Sequence, residues 1–96
     1  MNIFLIVKDS IDRLDPFDLL AMNAPADEYD SESLQISRRI SVSDSPSEIA
    51  AIIADVMQTS FGEQVSPERF LDTAVQICEA LVSEYSRLST ERNEHA

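Results

Sequence analysis

The sequence predicts an all-α protein, a small bundle of four to five helices that forms a single domain over residues 1–96. Three observations predict this fold class. The chain of 96 residues contains one glycine, and 44% of its residues are hydrophobic, which suits one core rather than two. Apolar residues recur at spacings of three and four along two long segments. A capping residue followed by proline, which is a helix-start signal, occurs three times.

The first half of the chain predicts three helical segments. Apolar residues fall on one face of a first helix over residues 3–14. Asp15-Pro16 predicts the start of a short helical segment, which ends before Pro25. Residues 34–42 carry apolar side chains at alternate positions, as in a strand, and also at helical spacing. We predict a helix there, because a lone strand would have no partner in this chain.

The second half predicts two long helices, each of which begins at a Ser-Pro pair. Ser45 and Glu48 form a capping box at the start of the first, and Gly62 ends it. The second begins at Ser66, and a polar, frayed tail is predicted for residues 90–96. The apolar positions of this last helix, all predicted to face the core, are Phe70, Leu71, Ala74, Val75, Cys78, Leu81, Val82, Tyr85 and Leu88.

The charge balance excludes several classes of partner. The chain has 18 acidic and 7 basic residues and a net charge of -11. DNA, RNA and anionic membranes would repel such a protein, so a basic protein partner is favoured. Acidity that serves solubility alone is the competing interpretation. Lys8 and Asp9 interrupt the apolar run near the first residue, so we expect neither a signal peptide nor a membrane span, but a soluble cytoplasmic protein.

Residues that support catalysis are few, and we predict a protein without enzymatic activity and without a cofactor. The single histidine, His95, lies in the polar tail, and the single cysteine, Cys78, lies among apolar residues. A lone cysteine forms neither an intrachain disulfide nor a cysteine metal cluster. One glycine, Gly62, is too few for a phosphate-binding loop. Aspartates recur every third residue from Asp9 to Asp18, but this spacing does not converge on a metal ion.

The densest cluster of carboxylates surrounds Tyr29, within residues 24–32. Tyrosine often anchors protein interfaces, and carboxylates bind Arg or Lys of a cationic partner. We predict a partner-binding surface there, extended by two earlier aspartates. Its residues are Asp27, Glu28, Tyr29, Asp30, Glu32, Asp12 and Asp18. The alternative interpretation is structural: Asp27 or Asp30 caps the next helix, and Tyr29 packs inward.

Two segments in this part of the chain resemble a family of small, acidic, all-helical bacterial proteins. They are Asp15-Pro16-Phe17-Asp18-Leu19-Leu20 and Ala24-Pro25-Ala26-Asp27-Glu28-Tyr29-Asp30-Ser31-Glu32. Members of that kind are found among the immunity proteins of polymorphic toxin and contact-dependent growth inhibition systems. The resemblance implies that the protein neutralises a toxin, and the charge argument favours a cationic nuclease toxin. A non-toxin adaptor or regulatory protein-binding module is the alternative, and the sequence does not predict an oligomeric state.

Overall fold

A computed structural model describes residues 2–94, with the side chains of residues 2–88. Within this range the protein has four α-helices, one short 3₁₀ turn and no strand, so the all-α prediction is confirmed. The elements are α1 (Ile3–Leu14), α2 (Asp30–Arg39), α3 (Pro46–Phe61), the 3₁₀ turn (Pro67–Phe70) and α4 (Leu71–Glu94). The predicted frayed tail lies partly outside the described residues. The backbone of α4 is helical through residue 94, residues 95 and 96 are outside, and the fraying stays a prediction.

Local signals in the sequence set the ends of the helices. Asn2 caps α1, since its side chain accepts a hydrogen bond from the N–H of Leu5. Ser45 and Glu48 form the predicted capping box of α3, in which each side chain accepts from the backbone N–H of the other residue, at 3.2 and 3.1 Å. Gly62 ends α3 with a φ of 72°, a conformation that glycine adopts without steric cost.

The helical segment predicted from Asp15-Pro16 is wrong. Residues 16–29 form consecutive turns, and Asp15 instead ends α1 in a left-handed conformation with a φ of 48°. Asp15 therefore does not act as an N-cap, because an N-cap residue has an extended backbone. Its carboxylate binds the backbone of the turns that follow rather than that of a helix.

The core lies where the four helices meet. α1 packs against α2 and α4, and α3 packs against the same two helices. The helix predicted over residues 34–42 is confirmed in α2, although residues 40–42 lie beyond its end. The largest fully buried apolar side chains are Tyr29, Phe70, Ile11, Ile36, Ile49, Ile53, Met57, Ile77, Leu81 and Val7.

The apolar series predicted for α4 separates into two faces. Ala74 and Leu81 are buried together with Ile77, which the series omitted. The large apolar side chains of the series that face solvent are Leu71, Val75, Val82 and Tyr85. Cys78 is half-buried rather than buried, and its Sγ lies 3.9 Å from the carbonyl oxygen of Asp44. The helical period identifies apolar positions, but the neighbouring helices decide how much of the circumference of α4 they cover.

Candidate protein-binding site in the acidic loop

The segment between α1 and α2, residues 15–29, is called the acidic loop here, and one pair of side chains organises it. The Tyr29 hydroxyl donates a hydrogen bond to Oδ1 of Asp15 at 2.7 Å. The same hydroxyl oxygen accepts from the backbone N–H groups of Phe17 and Leu19, at 3.2 and 3.4 Å. Because Tyr29 is fully buried, these bonds satisfy a polar atom that would otherwise be costly to bury.

The Asp15 carboxylate continues this network along the chain. Its Oδ1 accepts from the N–H of Leu20 at 3.1 Å, and its Oδ2 accepts from the N–H of Ala21 at 2.9 Å. The positive-φ residues other than glycine in the described range are Asp15, Asp18 and Asn23, all in this loop. Asp and Asn enter the left-handed region more readily than other residues with a Cβ, so the loop folds without glycine.

The same hydrogen bonds shift the acidity of both partners. Burial by itself raises the pKa of the Asp15 carboxyl. The hydrogen bonds from Tyr29 and from the backbone of Leu20, Ala21 and Leu19 outweigh that effect and hold the pKa below its ordinary value. Burial, together with the hydrogen bond to Asp15, raises the pKa of Tyr29 to about 12. At neutral pH the pair is therefore a carboxylate and a neutral phenol.

Aromatic contacts fix the acidic loop to the second half of the protein. The ring of Phe61, at the end of α3, lies 4.6 Å from that of Phe17 and 6.1 Å from that of Tyr29, between centroids. The Arg69 guanidinium lies 5.4 Å from the centroid of Phe17, within the range of a cation–π interaction. Arg69 also donates a hydrogen bond to the carbonyl of Pro16. The loop is thus held on both sides, by α3 and by the 3₁₀ turn.

Lys8 of α1 forms ion pairs with two of the predicted site residues. Its Nζ lies 2.9 Å from Oδ2 of Asp12 and 2.6 Å from Oδ1 of Asp30, and it also donates to the carbonyl of Ala26. The hydrogen bonds to Asp12 and then to Asp30 raise the pKa of Lys8 above its ordinary value. This cation joins α1 to the start of α2, so Asp12 and Asp30 contribute less to an acidic binding surface than their number suggests.

Burial limits two further predicted residues. Tyr29 has no exposed surface, so its prediction as a partner contact is wrong while the fold is intact, and Glu32 is only 8% exposed. The alternative that Tyr29 packs inward is confirmed. The prediction that Asp27 or Asp30 caps α2 is wrong. Tyr29 occupies the N-cap position of that helix, and no side chain makes a capping hydrogen bond there. Asp30 and Glu32 do lie in the first turn of α2, where the helix dipole favours them.

Three of the predicted residues remain available to a partner. Asp18 and Asp27 are exposed and Glu28 is half-buried, and none of them forms an ion pair among the side chains described at residues 2–88. They lie on a loop whose backbone is bound by the part-buried and exposed hydrogen bonds of the Asp15 and Tyr29 side chains. Sequence reasoning missed Asp15 and Arg69 as the residues that order this loop.

The basic side chains of residues 2–88 are mostly occupied within the protein. Four of them form ion pairs with carboxylates: Lys8, Arg13, Arg39 and Arg87. Arg69 binds the Pro16 carbonyl, and only Arg38 in this range forms neither an ion pair nor a hydrogen bond. Among the side chains of residues 2–88, the carboxylates of Asp18, Asp27 and Glu28 are therefore not offset by an ion pair.

In the range that the structure describes, no three His, Cys, Asp or Glu side chains are placed to hold a metal ion. None of the helices in that range has the length and apolar character needed to cross a membrane. No family model, curated protein or solved structure matches the chain.

Proposed function

We propose that the protein is an immunity protein that binds a cationic toxin domain, such as a nuclease, and neutralises it in the bacterial cytoplasm. The observation that carries the proposal is the contrast between occupied cations and free carboxylates. Almost all basic side chains in residues 2–88 bind partners inside the protein, whereas Asp18, Asp27 and Glu28 have none. A surface of this kind attracts a basic protein and repels nucleic acid.

The rigidity of the acidic loop supports binding rather than general solubility. The network of Asp15 and Tyr29 binds the backbone on both sides of Asp18. Backbone hydrogen bonds from Glu28 to Pro25 and from Asp30 to Asp27 hold the turn that carries the other two free carboxylates. A binding surface that is already ordered loses less conformational entropy when it meets its partner. A nuclease must present cationic groups to phosphates, and fixed carboxylates can occupy the same groups in place of the substrate.

The resemblance to small acidic immunity proteins supports the same function. The resembling segments, residues 15–20 and 24–32, cover the acidic loop except residues 21–23, and the first turn of α2. An adaptor that binds proteins unrelated to toxins is the second candidate. The exposed apolar side chains along α4 favour it, because a partner helix can cover such residues in an adaptor.

The test asks whether the gene immediately upstream of the gene for this protein encodes a toxin-like domain, and that domain is purified and assayed on plasmid DNA and on tRNA. We expect stoichiometric inhibition by the full chain. The triple variant Asp18→Asn, Asp27→Asn, Glu28→Gln should weaken binding about tenfold or more, slow association and flatten the salt dependence. Inhibition by the triple variant at the affinity of the unaltered protein would contradict the role of the loop. The absence of any complex with that domain would contradict the immunity function.

The matched control is the triple variant Asp9→Asn, Asp55→Asn, Glu63→Gln. It removes the same charge from exposed residues outside the acidic loop. Equal weakening by both variants would indicate a diffuse charge effect rather than a site. Thermal unfolding of each variant shows whether a lost affinity reflects a lost fold.

A further inference from the structure

The exposed face of α4 carries an ordered apolar pattern, which we call the α4 stripe. It consists of Leu71, Val75, Cys78, Val82 and Tyr85. The successive spacings are four, three, four and three residues, which is the pattern of a helix that packs along another helix. The four large side chains other than Cys78 are between 37% and 54% exposed.

Packing of the protein's own core does not account for the α4 stripe. The core face of α4 carries Ala74, Ile77 and Leu81, which are at most 1% exposed. At about 100° per residue, the centre of the stripe is displaced from that face by roughly a quarter of a turn. Cys78 lies at the border and touches the segment before α3 near Asp44. The stripe is therefore a second apolar face of the same helix.

Carboxylates border the α4 stripe on its outer side. Asp72 and Glu79 are three or four residues from Val75, so they are its neighbours on the helix surface. Glu68 lines the same recess as Leu71. All three carboxylates belong to exposed residues, and none forms an ion pair among the side chains of residues 2–88.

We propose that the α4 stripe is the docking site for an amphipathic helix of a partner protein, with Lys or Arg beside its apolar face. The stripe is about 21 Å long from Leu71 to Tyr85, at about 1.5 Å per residue, and suits a partner helix of about four turns. The charge on its border selects this occupant. A second copy of the chain would place further carboxylates beside Asp72 and Glu79, at a net charge of -11 for each copy.

This inference concerns a surface other than the acidic loop and does not depend on the proposed toxin partner. The acidic loop offers free carboxylates without an exposed apolar row, and the α4 stripe offers both together. The two surfaces are carried by different residues, so separate variants test them.

The probe is a synthetic amphipathic peptide of about three heptads, with Leu along its seam and Lys beside the seam. A twin peptide has Glu in place of each Lys. Both are titrated into the full ¹⁵N-labelled protein by NMR, with fluorescence anisotropy for the dissociation constant. We expect the basic peptide to shift the signals of residues 71–85 and to bind about tenfold or more tightly than its twin.

Two variants of the protein locate the site. Val82→Ser with Tyr85→Ser should weaken binding of the basic peptide about tenfold or more, because these side chains are the anchors. Asp72→Asn with Glu79→Gln should weaken it about threefold to tenfold. The matched controls, Leu5→Ser with Met22→Ser for exposed apolar area and Asp55→Asn with Glu63→Gln for charge, should change it by less than about twofold.

Four results would overturn the proposal. They are the absence of binding up to about 1 mM peptide, equal binding of both peptides, equal weakening by the two charge variants, and full binding by the Val82→Ser, Tyr85→Ser variant with an unchanged fold. Sedimentation of the free protein tests whether a second copy of the chain occupies the α4 stripe instead. A dimer that the Val82→Ser, Tyr85→Ser variant abolishes would assign the stripe to that second copy. Inhibition of the toxin domain is measured with the same Val82→Ser, Tyr85→Ser variant. Because this variant leaves the acidic loop unchanged, a failure of the α4 stripe can be told apart from a failure of the proposed function.

Discussion

The acidic loop and the pair α3–α4 both contain a capping residue followed by proline, yet they are ordered by different interactions. In α3, Ser45 caps the helix that follows it, and the helix then buries one apolar face. In the acidic loop, Asp15 ends the helix that precedes it and binds the hydroxyl of Tyr29. The same local signal therefore gives a helix where an apolar period follows it, and a series of turns where a distant polar partner captures the carboxylate.

Because the two regions are ordered differently, they should differ in which substitutions destabilise them. A regular helix spreads its stabilisation over many apolar contacts and backbone hydrogen bonds, so the loss of one polar side chain is tolerated. The acidic loop depends on few hydrogen bonds, and several of them meet at two side chains. We therefore expect substitutions at polar atoms to matter more in the loop than in α3 or α4.

The largest effect is expected at Tyr29. Tyr29→Ala should lower the free energy of unfolding by about 3–5 kcal/mol, as truncation of a fully buried aromatic residue does. Tyr29→Phe keeps the ring but leaves Asp15 and two backbone N–H groups without the hydroxyl, and should cost about 1–3 kcal/mol. Urea denaturation measures both values. Ile53→Val in α3 is the control and should cost about 0.5–1.5 kcal/mol.

If Tyr29→Phe is as stable as the unaltered protein, the hydroxyl does not order the loop, and the contrast with α3 is lost. If Tyr29→Phe and Tyr29→Ala cost the same, the ring contributes nothing beyond its hydroxyl, although it contacts Phe61.

The dependence of stability on pH is the second test of the contrast between the acidic loop and the pair α3–α4. The pKa of Asp15 is lowered in the fold, so its contribution is complete above its unfolded value of about 3.9 and is lost as the pH falls below that value. The pKa of Tyr29 is raised to about 12, so its contribution is complete below about pH 10 and is lost as the pH rises towards the folded value.

Urea midpoints measured across these two pH ranges test this expectation. Tyr29→Phe should remove much of the alkaline loss, and Asp15→Asn should reduce the acid loss. Tyr85→Phe is the control, because Tyr85 is exposed and lies outside the acidic loop. An alkaline loss that persists unchanged in Tyr29→Phe would assign the titration to another group.

The smallest effects are expected at the helix caps. Ser45→Ala should lower the free energy of unfolding by about 1 kcal/mol, because it removes one half of a reciprocal capping box. Ser66→Ala should cost less, since Ser66 accepts a single hydrogen bond at 3.3 Å, from Glu68 at the start of a 3₁₀ turn. Thermal unfolding of both variants ranks them. A greater loss from Ser66→Ala than from Ser45→Ala would contradict this order.

The sequence predicted the regular part of the fold because its signals are local. The capping box at Ser45, the end at Gly62 and the apolar period of α3 involve residues at most a few turns apart. The hydrogen bond between Asp15 and Tyr29 joins residues 14 apart, and no local pattern encodes it. The Asp15-Pro16 pair was therefore interpreted as a helix start.

The candidate site was predicted only in part for a related reason. Charged neighbours around Tyr29 suggested an exposed aromatic anchor, but the carboxylate that Tyr29 binds comes from another part of the chain. Lys8 likewise reaches Asp30 across 22 residues, and composition alone cannot show that such a pair forms. Asp18 and Asp27 are exposed and Glu28 is half-buried, and their role in binding stays a prediction.

The contact between Arg69 and the Pro16 carbonyl has a consequence for the order of folding. It joins residues 53 apart, so it forms only once the 3₁₀ turn has been brought against the loop by the packing of the helices. The acidic loop should therefore form late, after α3 and the 3₁₀ turn are in place, and open first as a local unit when the protein fluctuates. In amide hydrogen exchange, the N–H groups of Leu20 and Ala21 would then exchange through partial opening, ahead of those in the middle of α3.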